Sequence, residues 1–270
     1  MSVDPIVDVE RDDERGIAII TLDRPESLNA LSVELRCLAS DAVAELNADP
    51  NIGAVVLTGT GRAFSAGVDL REIGGKAPQP EPERREVDGV DMRGDDLVGA
   101  MTAAGVPIIG AVNGMAITGG FELALGCDII LASDRARFAD THARLGIMPG
   151  WGMTVRLPRL IGYSRAKELS LSSNFLDAET AERWGLVNRV IPHEDLLDAA
   201  TTLAAEIATS DKATVRALNR TYDAVAGLAD SEGLALEKAM GREHMRSVTP
   251  ADIAARRSAV QERGRSQQSS

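Results

Sequence analysis

Two short runs, residues 17–22 (IAIITL) and 54–58 (AVVLT), are β-branched and apolar on both faces, as strands covered on both sides of a sheet are. Between them Leu35, Leu38, Ala42 and Leu46 recur at steps of three and four, after a candidate N-cap at Ser32, which predicts a helix over residues 32–47. A third apolar run, 107–112 (PIIGAV), leads into GMAITGG, and ELALGCDIILAS then reads as a helix running into a fourth strand. The repeating β–α–β order predicts an α/β fold.

Residues 74–96 break the pattern: they are charged, hold three prolines and keep no apolar period, so they are expected to form a solvent-facing loop or a poorly ordered helix. From residue 196 onward three amphipathic stretches, near 196–209, 212–226 and 231–247, follow one another with no strand signal, and the QQSS ending is expected to fray. The chain therefore divides into an α/β core, residues 1–195, and a C-terminal helical segment, residues 196–270.

Charge and cysteine use narrow the partners. Lys plus Arg number 29 and Asp plus Glu 41 in 270 residues, a net charge of −12, which argues against nucleic acid and anionic membrane as partners. The longest apolar stretch, 105–121, is short, carries Asn113 and Thr118 and is studded with glycine, unlike a membrane span. Cys37 and Cys127 are in no C-x-x-C or metal spacing and are expected to be buried thiols. The N-terminus lacks a basic-then-apolar leader pattern, so a cytoplasmic compartment is expected.

Several sites are missing. GTGRAF (59–64) lacks the third glycine of a dinucleotide fingerprint, and His193-Glu194 opens an H-E-x-x-H pattern that ends at Leu197. His142, His193 and His244 have no ligand spacing, so neither a metal nor a nicotinamide cofactor is expected. Ala63-Phe64-Ser65-Ala66-Gly67 is one substitution from a nucleophile elbow, and Asp128 or Asp140 followed by His142 would complete the hydrolase order. Against it, the first glycine is missing and no helix signal follows Ser65.

Two segments carry the chemistry. GRAFSAGVDL (61–70) follows the strand at 54–58 and lies where open α/β sheets bind ligands. NGMAITGGFEL (113–123) runs from a strand end into a helix, which puts Gly119 and Gly120 near free N–H groups at the positive end of the dipole. One N–H from each loop would make an oxyanion hole, with Glu122 beside it in the first helical turn. Taken alone, Glu122 could equally be a carboxylate that complements the dipole.

In order and spacing these loops resemble the enoyl-CoA hydratase/isomerase (crotonase) family. So do LDRPESLNAL (22–31), AVNGMAITGGFELALGCDIILAS (111–133), FADTHARLGIMPGWGMTVRLPRLIG (138–162) and AERWGLVNRVIP (181–192). The resemblance implies a spiral of repeated β-β-α units with a C-terminal helical trimerisation segment, in a homotrimer or dimer of trimers. It implies an acyl-CoA thioester substrate, coenzyme A being part of the substrate rather than a cofactor. By match, the oxyanion donors fall at the N–H groups of Val68 and Gly119. The CoA adenine would lie near Ala66, Asp69 and Leu70, its phosphates near Arg24 and Arg71, with Arg256 or Arg257 a further candidate. The first of the family's two catalytic glutamates is Glu122; the second position holds His142, which would have to supply or hold the second proton, while Asp140 could substitute only if turned inward. Trp151 replaces a small residue near the acyl pocket and either narrows it, stacks on a ring-bearing acyl group or simply packs in the core. The resemblance favours a 2-enoyl-CoA hydratase. Thioester hydrolysis, double-bond isomerisation and a non-catalytic acyl-CoA-binding protein stay open because the second glutamate is missing.

Overall fold

The structure is a computed structural model and describes residues 5–75, 81–82, 84–87 and 90–267. In chain order its strands are β1 (Val7–Asp12), β2 (Ile17–Leu22), β3 (Ala54–Gly59), β4 (Ala63–Ser65), β5 (Arg84–Val87), β6 (Val90–Arg93), β7 (Ile108–Val112), β8 (Met115–Ile117), β9 (Ile129–Ser133), β10 (Arg137–Ala139), β11 (Leu176–Asp177) and β12 (Arg189–Ile191). The helices are α1 (Val33–Ala48), α2 (Leu70–Ile73), α3 (Leu97–Ala103), α4 (Gly119–Leu125), α5 (His142–Leu145), α6 (Met153–Ile161), α7 (Tyr163–Ser172), α8 (Ala178–Trp184), α9 (Leu196–Ala208), α10 (Lys212–Val225), α11 (Asp230–Met245) and α12 (Pro250–Gln267).

The strands form two sheets beyond the β5–β6 hairpin. The larger runs β1-β2-β3-β7-β9-β12 and is parallel from β2 onward; the smaller runs β11-β10-β8-β4. Each repeat therefore places one strand in the large sheet and the next in the small one: β3 then β4, β7 then β8, β9 then β10. This is the expected spiral of β-β-α units. It explains why residues 54–58 and 107–112 are apolar throughout: β3 and β7 are buried at every position.

Ser32 caps α1 as expected, its side chain accepting the Leu35 N–H. The buried side of α1 is broader than the forecast stripe and takes in Arg36, Ala39, Ser40 and Val43, while Leu38 is exposed, because Leu38 lies on the flank turned away from that arc. Cys127 is buried, but Cys37 is only half-buried. Within residues 74–96, the described part is no helix: β5 and β6 pair antiparallel from Arg84↔Arg93 to Val87↔Val90, and Asp96 then caps α3. The rest of that forecast, at 76–80, 83 and 88–89, lies outside the described residues.

Two compact units divide the chain at Arg216 and Ala217, later than the expected boundary at residue 195. The reason is α9. Leu196, Ala200, Ala204 and Ala208 pack on Ile17, Val56, Ile109 and Leu131, closing one face of the large sheet, so α9 belongs to the core. The opposite face packs against α1, α3 and α4 around Leu35, Leu57, Val112 and Phe121. The second unit, from Ala217, comprises the rest of α10 with α11 and α12, a helix not forecast from the sequence; of the QQSS ending expected to fray, residues 268–270 lie outside the described residues. Among the described residues, no helix is long and apolar enough to cross a membrane.

Candidate active site

Asn29 organises the first loop. Its amide donates to the carbonyls of Thr60 and Ala63 at 2.9 and 2.8 Å and accepts the Arg24 N–H. The Ser65 hydroxyl donates to the Asn29 carbonyl at 2.8 Å and accepts the Gly67 N–H at 3.1 Å. Ser65 is thus a fully buried strut and not an exposed nucleophile, which disposes of the elbow reading. The Leu31 N–H donates to Gly67 O and the Asp69 N–H to Leu31 O, pinning the backbone on both sides of Val68. Among the described residues the Val68 N–H itself is spent on no hydrogen bond.

The second loop is held by Thr118, a non-glycine residue at φ 54° and ψ −110°, a conformation disfavoured for any side chain. Its N–H donates to Ala139 O at 2.8 Å, and its hydroxyl meets the Thr141 hydroxyl at 2.5 Å. This forced turn aims the Gly119 N–H, the first of α4 and likewise unspent among the described residues, out of the helix end. A Cβ on Gly119 would lie 3.3 Å from the Val68 nitrogen and 3.1 Å from Cζ3 of Trp151. The two amides and the indole therefore border one small space that only glycine leaves open.

Glu122 points into the same region and is 2% exposed. Its Oε1 accepts the N–H groups of Trp151 at 2.8 Å and Met153 at 3.2 Å, while Oε2 stands 3.5 Å from His142 Nε2. The far ring nitrogen, His142 Nδ1, lies 2.6 Å from Asp140 Oδ1, which also accepts the His142 backbone N–H at 3.1 Å. Burial alone would push the Asp140 carboxyl up; hydrogen bonds from His142 and from Ser170 of α7 outweigh it and hold the group below its ordinary value of 3.8. An ionised Asp140 is a pure acceptor, so Nδ1 carries the hydrogen of this bond. Asp140 is turned inward, behind His142 rather than in its place. A buried chain of Asp140, His142 and Glu122 results (2%, 6% and 2% exposed).

Trp151 is half-buried and packs against the core. The Arg36 guanidinium lies 5.5 Å from the centroid of its ring and is ion-paired to buried Asp95 at 2.5 Å. Neither residue was visible as part of the site in the sequence. Arg36 sits in the apolar arc of α1, and Asp95 in the segment expected to be loop; a lone arginine on a buried helical face was the available signal.

The residues matched to CoA form one cluster. Arg24 donates to Ala30 O at 2.8 Å and sits 3.4 Å from Asp69 Oδ2, which Arg71 reaches at 3.1 Å. Asp69 is buried and caps α2 through the Arg71 N–H, and the Arg71 side-chain hydrogen bond is the main cause that holds its carboxyl below the ordinary value. Arg24 is largely buried, whereas Arg71 and Leu70 are exposed. The Ala66 N–H is spent on Leu28 O at 2.9 Å. Arg256 and Arg257 are exposed on α12, in the second unit. No cluster of potential metal ligands occurs among the described residues; His193 Nδ1 meets Ser133 Oγ at 3.0 Å.

The spiral fold is shared with known proteins. The enoyl-CoA hydratase/isomerase family model matches residues 12–253, and the chain belongs to that family. It is 38% identical over 236 residues, 87% of this chain and 85% of the relative, to a protein of Arabidopsis thaliana named as a probable peroxisomal enoyl-CoA hydratase 1. Among solved structures it is similar to an enoyl-CoA hydratase from Mycobacterium smegmatis, at 40% identity and TM-score 0.70 over 90% of this chain and 100% of that one. Another, an enoyl-CoA hydratase subunit from Geobacillus kaustophilus, gives 32% identity and TM-score 0.81 over 93% and 94%.

Proposed function

We propose that the protein is an enoyl-CoA hydratase, with Glu122 and His142 as its acid–base pair. The observation that carries this reading is the Glu122 carboxylate facing the His142 imidazole beside the unspent N–H groups of Val68 and Gly119. The thioester carbonyl oxygen accepts hydrogen bonds from both amides, which strengthen as negative charge gathers on it; one such donor contributes about 3 kcal/mol to the transition state. Glu122, fixed through Oε1 by two backbone donors, takes a proton from water through Oε2 as the oxygen adds to the β-carbon. His142, as the imidazolium, gives the Nε2 proton to the α-carbon. The proton on Glu122 then crosses to Nε2, so the pair ends as it began and the thioester has gained one water. The 3.5 Å separation suits a pair that tightens around substrate.

Arg71, exposed beside buried Asp69, offers a guanidinium fork to CoA phosphates, with Arg24 bracing the loop from beneath and the backbone at Ala66, Asp69 and Leu70 lining the nucleotide. Trp151 forms a wall of the acyl pocket. No cofactor is required, coenzyme A arriving with the substrate, and fatty-acid breakdown is the natural setting. Exposed Tyr163, Leu171 and Phe175, and Tyr222 and Leu234 in the second unit, support a homotrimer or dimer of trimers. The two cysteines, neither of them in a disulfide, suit a reducing compartment such as the cytoplasm, although the Arabidopsis relative is named peroxisomal.

The test is loss of conjugated-thioester absorbance with crotonyl-CoA, followed by mass spectrometry. Gain of one water with the thioester intact is the expected result; release of free CoA would mark thioester hydrolysis instead. Glu122→Gln is expected to lower turnover by at least about a thousandfold while calorimetric binding of the CoA ester survives. Loss of binding would make Glu122 a structural brace.

A further inference from the structure

Behind the acid–base pair lies a buried carboxylate that the proposed chemistry does not use. Asp140 is 2% exposed and joins three elements: it follows β10, accepts from both the ring and the backbone of His142 on α5, and receives a hydrogen bond from Ser170 on α7. Among the described residues, its hydrogen bonds reach Glu122 through the imidazole. We infer that Asp140 is a positioning residue that holds a hydrogen on His142 Nδ1 and turns Nε2 toward Glu122.

The inference rests on the proposed role of His142, and geometry supplies its logic. A histidine with a hydrogen kept on Nδ1 has a single nitrogen free for chemistry, and here that nitrogen faces the carboxylate. The Nδ1 proton stays in place throughout; the proton that travels is the one exchanged between Glu122, Nε2, water and the α-carbon. Two anions thus flank one imidazole, Glu122 from α4 and Asp140 from the turn after β10. The other charged groups nearby are turned away: Arg144 of α5 donates to Ser172 O, and Arg165, Lys167 and Glu168 of α7 are exposed. Removing the Asp140 acceptor frees the ring to place its hydrogen on either nitrogen and to turn Nε2 away from Glu122.

The experiment measures crotonyl-CoA hydration against pH for the full-length chain and for Asp140→Asn, His142→Gln and the double variant, with CoA-ester binding by calorimetry. Asp140→Asn is expected to lower kcat by about a hundredfold or more, with KM within about threefold, as for loss of an interaction made in the transition state. The double variant should be no slower than His142→Gln alone. Asp140→Asn with unchanged kcat, while His142→Gln is inactive, overturns the inference and leaves the role of His142 standing. Losses that multiply in the double variant also overturn it, since Asp140 would then act independently of the ring. His142→Gln with native kcat and pH profile refutes the reading beneath. Should Asp140→Asn fail to fold, nitrogen NMR of the native protein decides: a hydrogen on His142 Nδ1 is expected, and a ring that carries one on Nε2 alone overturns the inference.

Discussion

Trp151 performs two tasks through different atoms. Its backbone N–H holds Glu122, and its indole borders the space in front of Gly119. Trp151→Ala keeps the first and removes the second. We expect turnover of crotonyl-CoA within about threefold of native, since the transition-state donors are untouched, and improved kcat/KM for branched or ring-bearing enoyl-CoA esters. A uniform loss across acyl groups, measured by steady-state kinetics, would mean that the ring braces the core. Sequence reading proposes Glu122, Val68, Gly119, His142 and Trp151 because motif order carries them. It left Asp140 as a substitute only if turned inward, because a carboxylate two residues from a histidine declares nothing about which way a turn points it. Arg36 and Asp95 were missed for a related reason: pairing across 59 residues leaves no local periodic trace.

At the scale of elements, the helix α4 must lie almost against the strand β4. A Cβ on Gly120 would sit 2.1 Å from Ser65 O, whereas one on Gly150 would meet nothing within 4 Å. Gly120→Ala is therefore expected to cost about 3 kcal/mol in chemical denaturation and to cripple hydration by prising the two amides apart, with Gly150→Ala as a near-neutral control. Periodicity announced the strands and α1 because buried arcs leave apolar stripes. It misjudged α9, which is amphipathic like the helices after it yet belongs to the core. Which surface an amphipathic helix covers is decided by the sheet it meets, and nothing in its own spacing says so.

For the whole molecule, the division at Arg216 changes the truncation that tests assembly. Deleting from residue 196 would strip Leu196, Ala200, Ala204 and Ala208 from the sheet and unfold the core. Deleting 217–270 leaves the first compact unit whole. If the C-terminal helices close a trimer, that shorter chain should sediment as a monomer while keeping its circular dichroism per residue; a trimer in ultracentrifugation would place the interface elsewhere. Composition was informative at this scale in one respect, since the −12 charge leaves recognition of an anionic ligand to local clusters such as Arg24 and Arg71.

The alternation of strands between two sheets has one more consequence. Val68 follows β4, Gly119 follows β8 and His142 follows β10, and these three strands are hydrogen-bonded neighbours in the smaller sheet. The proposed catalytic groups therefore hang from adjacent rungs of a ladder whose spacing is about 4.8 Å, fixed by the peptide itself. Evolution can exchange the group on a rung, as a glutamate for a histidine, but it cannot stretch the ladder. A protein built this way keeps the distance between oxyanion and proton donor while its chemistry drifts, and new reactions arise by substitution at a constant gauge.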